Sequence, residues 1–212
     1  MITKIEQALI ERLKLGLGKL VYSVSGYAGE INDEQLDVRR LPACLVSYGG
    51  SVFEAKSMGA RGKRYQTTDT FVVLVITRSM RSATAGRVGG AAPKEIGVNQ
   101  LLGAVKYLLI NQTLDDLVLP IQPRRIRTIW NNAEVKKERL SAYALEFEIS
   151  YNESTLDDGR YPEGVALNEQ VFKLFGGKLD KPLGEIKGIR SRIFNPTNHA
   201  QVPLIINQKE GD

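Results

Sequence analysis

Apolar residues recur along this chain with two clear periods, and the switches between them mark the elements. Ile5, Leu9 and Leu13 sit four apart, with Ala8 beside them and Lys4, Glu11 and Lys14 elsewhere on the wheel. That spacing predicts an amphipathic helix over residues 3–15. Thr3-Lys4-Ile5-Glu6 has the spacing of a capping box at its start, and Gly16 and Gly18 end it. Leu20-Val21-Tyr22 reads as a short strand or a last helical turn. Ser25–Arg40 is polar and reads as a loop, with room for a short helix at 33–38.

Leu41-Pro42 opens a strand that runs to about Ser47, where Pro42 is tolerated as a first residue. Gly49-Gly50 breaks or bulges it, and Val52-Phe53 resumes the pairing. KSMGARGK, Lys56–Lys63, predicts a hairpin loop or bulge. Phe71–Ile76 has no polar residue on either face. A strand apolar on both faces must be covered on both, which predicts the middle of a sheet. A long glycine- and arginine-bearing loop, Arg78–Ala92, follows.

Pro93 suits the first turn of a helix, and Val98, Leu101, Leu102, Val105, Leu108 and Leu109 form its apolar stripe. Gly97 and Gly103 inside it cost about 1 kcal/mol each relative to Ala. They predict close packing of the helix backbone, most simply on the sheet. Arg124–Trp130 then alternates, with Arg125, Arg127 and Ile129 on one face. Ser141–Tyr151 is the cleanest amphipathic strand: Tyr143, Leu145, Phe147, Ile149 and Tyr151 inward; Ala142, Ala144, Glu146, Glu148 and Ser150 outward. The two read as an antiparallel hairpin whose arginines meet Glu146 and Glu148.

The predicted fold class is α+β: a four-stranded, mostly antiparallel sheet with two helices packed on one face, in the order α-β-β-α-β-β. Residues 1–151 form the predicted core domain. Residues 152–212 are richer in Gly and Pro, lack a long period, and predict an extended C-terminal arm. Within it Glu169–Phe175 reads as a strand or a helical turn, and Val202–Ile206 as a strand.

Charge sharpens the picture. The chain has 29 Lys and Arg against 24 Asp and Glu, for a net charge of +5. The excess is local: Lys56, Arg61, Lys63, Arg64, Arg78, Arg81, Arg87 and Lys94 face a single acid, Asp69, between positions 56 and 94. Such a distribution suits either a solvated face or a contact surface for nucleic acid or acidic protein. The only cysteine, Cys44, sits among apolar neighbours and reads as a buried small residue. Glu6 and Glu11 argue against a signal peptide, and no run approaches the ~18–20 apolar residues of a membrane span.

Catalytic chemistry finds little support, and no enzyme, cofactor or metal is expected. His199 is the only histidine and lies in an Asn-Pro-Thr-Asn-His stretch without metal-ligand or triad spacing around it. The acidic pairs Asp115-Asp116 and Asp157-Asp158 are not specific for acid–base work. Ala85–Gly90, AGRVGG, lacks the Gly-Lys-Ser/Thr ending of a phosphate loop and the parallel-sheet setting of a dinucleotide fingerprint. No aromatic residue is interleaved with Arg78, Arg81 and Arg87 to stack bases.

The order and texture of several segments carry a resemblance. They are ITKIEQALIERLK, LPACLVSYGG, VITRSMRSATAGRVGG followed by GVNQLLGAVKYLL, PIQPRRIRTIW, and SAYALEFEISY. In these the chain resembles the tail terminator (tail completion) proteins of Mu-like contractile-tailed phages. The resemblance implies a virion protein made in the host cytoplasm. It implies a hexameric ring on the head-proximal end of the tail tube, which stops polymerisation and offers the surface for head docking. The implied partners are further copies of the chain, tube and sheath proteins, the head–tail connector, and DNA passing through the lumen. Arg61, Lys63, Arg64, Arg78, Arg81 and Arg87 are the residues expected to contact the tube or line the lumen. The alternatives are another neck or connector component, or a DNA-binding protein that uses the basic loops.

Overall fold

The computed structural model describes residues 1–27, 41–59, 62–78, 96–129, 140–153, 155–181, 188–194 and 201–207. The chain divides into two compact units, Met1–Thr155 and Leu156–Asp212.

The first unit is a sheet under two helices. Helix α1 spans Ile2–Leu17 and buries Ile5, Leu9 and Leu13, the stripe read from the sequence, together with Leu17. It starts earlier than the capping-box spacing suggests. Met1 is the N-cap, without a side-chain cap bond, so Thr3 lies inside the first turn. Glu6 is directed instead toward β1 (Ser23–Gly26), where a Cβ on Gly26 would lie 2.9 Å from its Oε1. The helix also runs through Gly16 and closes at Gly18, whose φ of 49° lies in the left-handed region that favours glycine. A 3-10 turn, Gly18–Leu20, leads out of it.

Strand β1 was not foreseen. It has four residues and one buried apolar side chain, Val24, too little for any periodicity to register. It pairs parallel with the start of β2 (Ala43–Gly59), Ser23 opposite Ala43 through Gly26 opposite Val46. β3 (Gly62–Arg78), β4 (Gln122–Thr128) and β5 (Leu140–Asn152) complete a five-stranded sheet in the order β1-β2-β3-β5-β4. The expected four-stranded sheet is therefore a mixed five-stranded one, still α+β and antiparallel in every pairing but the first.

β3 occupies the centre, as its two apolar faces require. On one face Phe71, Val73 and Val75 join Val46, Leu145, Phe147 and Ile149 under α1 and under α2 (Val98–Leu109). On the other, Leu74 and Ile76 cluster with Leu45, Ala142 and Ala144. The alternation along β5 therefore does not separate a wet face from a dry one, because both sides of its first half are buried.

The two helical glycines play other parts than expected. Gly97 is the N-cap of α2, in extended conformation, and its N–H donates to Gln100 Oε1 at 3.2 Å. Gly103 faces solvent, and a Cβ there would meet nothing within 4 Å. The close helix approach comes at Gly16, where a Cβ would lie 2.4 Å from Leu108 Cδ2. Pro93 and the expected start of this helix lie outside the described residues.

The second unit holds a 3-10 turn at Leu167–Glu169, a short helix α3 (Gln170–Leu174), and an antiparallel pair, β6 (Gly188–Phe194) and β7 (Gln201–Asn207). Asp180 pins its loops. It accepts from the Tyr161 N–H at 2.9 Å, pairs with Arg160 at 3.4 Å, and donates its own N–H to Pro162 O at 2.9 Å. Among the described residues both apolar core clusters lie in the first unit.

Candidate interaction surface

The most distinctive surface is an arm. β2 and β3 are each 17 residues long, whereas β5 accompanies β3 only as far as Gln66 opposite Asn152. Beyond that point the two strands continue as a two-stranded ribbon, Ala55 opposite Tyr65 through Gly59 opposite Gly62. The sequence predicts a hairpin loop or bulge at Lys56–Lys63, and β2 and β3 do form a hairpin with a bulge between Ala55 and Ser57. The ladder runs further than expected, to Gly59 opposite Gly62, and carries those residues outward. A bulge between Tyr48 and Ser51 precedes the ribbon, with Gly50 at φ 114°, a conformation that suits glycine alone.

Isolated two-stranded ribbons are marginal in water. Just before this one, where β5 still accompanies β3, Val52 and Phe53 lie on opposite faces of β2 at 71% and 63% exposure. Among the described residues nothing pairs with β2 beyond Val46 on the side that β1 occupies. Among the described residues the stretch from Ser47 onward is thus an open edge, and so is β4 at the opposite side, which is blunted by Pro123, by a bulge between Pro123 and Arg125, and by its arginines.

Of the six basic residues expected at the contact, the described residues include three, and these fall at two ends of β3. Lys63 and Arg64 lie in the ribbon, opposite Met58 and Ser57. Arg78 is the last residue of β3, opposite Leu140. Thirteen strand residues separate Arg64 from Arg78, about 45 Å at the rise of an extended strand. Arg61, Arg81 and Arg87 lie outside the described residues, as does His199.

A second group of arginines is better defined. Arg125 and Arg127 hold Glu146 from two sides, Nε to Oε2 at 2.7 Å and Nε to Oε1 at 2.9 Å, and Arg124 reaches Glu148 at 3.5 Å. The expected cross-strand pairing is present. Glu146 is not the open surface residue that alternation implies, however: it is 4% exposed, while both arginines are more than half exposed. The Arg125 hydrogen bond lowers the Glu146 pKa against the opposing effect of burial, and the charges of Arg125, Arg127 and Arg124 add to the lowering. These guanidinium groups line the β4 edge, two of them anchored by the buried Glu146 and the third by the more exposed Glu148.

Other candidates are inert or shallow. Cys44 is fully buried, and burial pushes its thiol up to about 12, so it is no nucleophile at neutral pH. Among the described residues no three His, Cys, Asp or Glu side chains gather as a metal site. A cleft of about 710 Å³ lies beside α1 and α2, lined by Arg12, Lys106, Tyr107 and Gln112 among others. Its arginine is already engaged, with Leu108 O and Gln112 Oε1 each at 2.6 Å. No helix among the described residues is long and apolar enough to cross a membrane.

The chain matches the family described as bacteriophage Mu, Gp37, over residues 1–152. It belongs to that family. The Mu Gp37 match ends on the last residue of β5, so it takes in the whole sheet, both long helices and the arm. Leu156–Asp212 is not part of it. A comparison with curated proteins finds no match. Membership identifies a Mu-like phage protein and points to a structural or morphogenetic role rather than catalysis.

Proposed function

We propose that this Mu Gp37 family protein is a tail terminator. It assembles as a hexameric ring on the head-proximal end of the tail tube, stops tube polymerisation, and presents the surface to which the head connector docks. Its place is in the virion, at the neck. The observation that carries the reading is the family match over residues 1–152. That span contains every segment on which the resemblance to tail terminators rests.

The fold supports a ring. A ring needs a heterologous interface, in which one patch of a subunit meets a different patch of the next. Among its described residues the first unit has two unlike open edges, β2 beyond Val46 and β4. Exposed Val52 and Phe53 lie on the first of them, at the root of the arm. In this reading the arm makes the contact between neighbouring subunits or with the tube. The basic residues at its tip and at the far end of β3 serve two different contacts.

Electron microscopy of the protein mixed with tail tubes tests this. Six-fold rings on one end of tubes of fixed length are the expected result. Tails of normal length that join heads in a phage lacking this protein would overturn it.

A further inference from the structure

Where the five-stranded sheet narrows to the arm, its helix-facing side turns polar. Phe71, Asp69 and Thr67 follow one another on that side of β3, so the apolar core gives way to a carboxylate and then a hydroxyl. Asp69 is 0% exposed and Thr67 1%. Ser51 of β2 donates to Asp69 Oδ1, and the Tyr48 hydroxyl lies 2.5 Å from Ser51 Oγ. Tyr151 of β5 stands opposite Thr67 and is itself buried. Burial pushes its phenol up, the charges of Asp69 and Glu153 push it further, and a hydrogen bond to Asp69 adds to the rise. Asp69 Oδ2 and Thr67 Oγ1 have no hydrogen-bond partner. Among the described residues no cationic side chain pairs with Asp69.

A buried carboxylate without a counter-charge is strongly unfavourable, and buried charges in proteins are paired or bind metal ions. A water molecule would satisfy the two lone oxygens but leave the charge uncompensated. A small cation does both. Divalent sites gather several carboxylates. Here one carboxylate stands among neutral hydroxyls, which balances a single positive charge.

We infer that Asp69 Oδ2 and Thr67 Oγ1 are ligands of a site for a monovalent alkali cation, Na⁺ or K⁺, at the root of the arm. Through Asp69 the ion also engages Ser51, so it ties β2 to β3 where the arm leaves the sheet. The inference is independent of the tail-terminator reading.

Thermal unfolding of the full chain in NaCl, KCl and choline chloride at equal ionic strength tests it. Na⁺ or K⁺ should raise Tm by on the order of 5 °C at a hundredfold excess over Kd. Asp69→Asn should abolish the rise, and Thr67→Val should reduce it. Crystals grown with Rb⁺ or Tl⁺ should show an anomalous peak between the two side chains. Equal Tm in all three salts would overturn the inference, as would the same salt response in Asp69→Asn. A water without anomalous signal at that position would overturn it too. Should Asp69→Asn fail to fold, the Thr67→Val response and the wild-type anomalous map decide.

Discussion

Arg125 and Glu146 meet across the β4–β5 ladder, Nε to Oε2 at 2.7 Å, and the carboxylate is almost wholly buried while the guanidinium is not. That asymmetry fixes the response to acid. The pKa of Glu146 is lowered in the folded state, first by the Arg125 hydrogen bond. Its contribution to stability is therefore present above the unfolded carboxylate range and is lost as pH falls through the folded value. The urea midpoint of the wild type should fall more steeply between about pH 5 and about pH 3 than that of Glu146→Gln. Parallel curves would show that Glu146 takes no part in acid unfolding.

Removing the arginines singly and together gives a second check. Arg125 and Arg127 share one carboxylate, so either alone keeps Glu146 partnered. Arg125→Ala and Arg127→Ala should each lower stability slightly, and the double variant by more than their sum. A double-mutant cycle in urea reads the difference, and strict additivity would contradict the shared grip.

Cys44 should be silent to thiol reagents in the native protein. Its pKa is raised from 9.0 to about 12, so the thiol stays protonated at neutral pH, and the side chain is fully buried. A raised value also means that its contribution to stability is present below pH 9.0 and is lost as pH rises toward 12. Labelling by an aromatic disulfide reagent at neutral pH should proceed only at the rate of unfolding and become fast in urea. Rapid labelling of the folded chain would count against the burial.

Phe71 is fully buried between the strands and the helices, whereas Leu15 on α1 is 86% exposed. Phe71→Ala should cost about 3–5 kcal/mol. Leu15→Ala should stay within about 0.5 kcal/mol. Chemical denaturation distinguishes them, and similar costs would mean that Leu15 is covered in solution.

The wide separation of Arg64 from Arg78 along β3 predicts two phenotypes. Lys63→Glu with Arg64→Glu, and Arg78→Glu alone, should each leave a folded protein but impair different steps of tail completion. Scoring tube length and head joining separately in each variant checks this. Identical defects would mean that the two ends serve one contact.

The sequence was most informative where one physical demand governed a segment. Ile5, Leu9 and Leu13 are buried as their spacing requires, and Phe71–Ile76 lies at the centre because both its faces are apolar. β1 escaped because Val24 is its only apolar residue that enters the core. The arm escaped because its strand character comes from hairpin pairing with β3, which local propensity does not report. Glu146 looked like a surface residue because alternation knows nothing of the arginines that lie over it. Lys63 and Arg64 are close to Arg78 in sequence, yet a 17-residue strand sets them at its opposite ends. No motif marked the surroundings of Asp69, since Ser51 meets it only through strand pairing.

β3 pairs with β5 in thirteen consecutive positions without a register shift, from Gln66 to Arg78, and continues outward into the arm. A pull on the tip directed along the strand would thus reach the interior as shear. The ladder bonds would share that load at once rather than open one after another like a zipper. An arm built this way is a mechanical tether, stiff along its length and able to pass tension from whatever it grips straight into the centre of the fold.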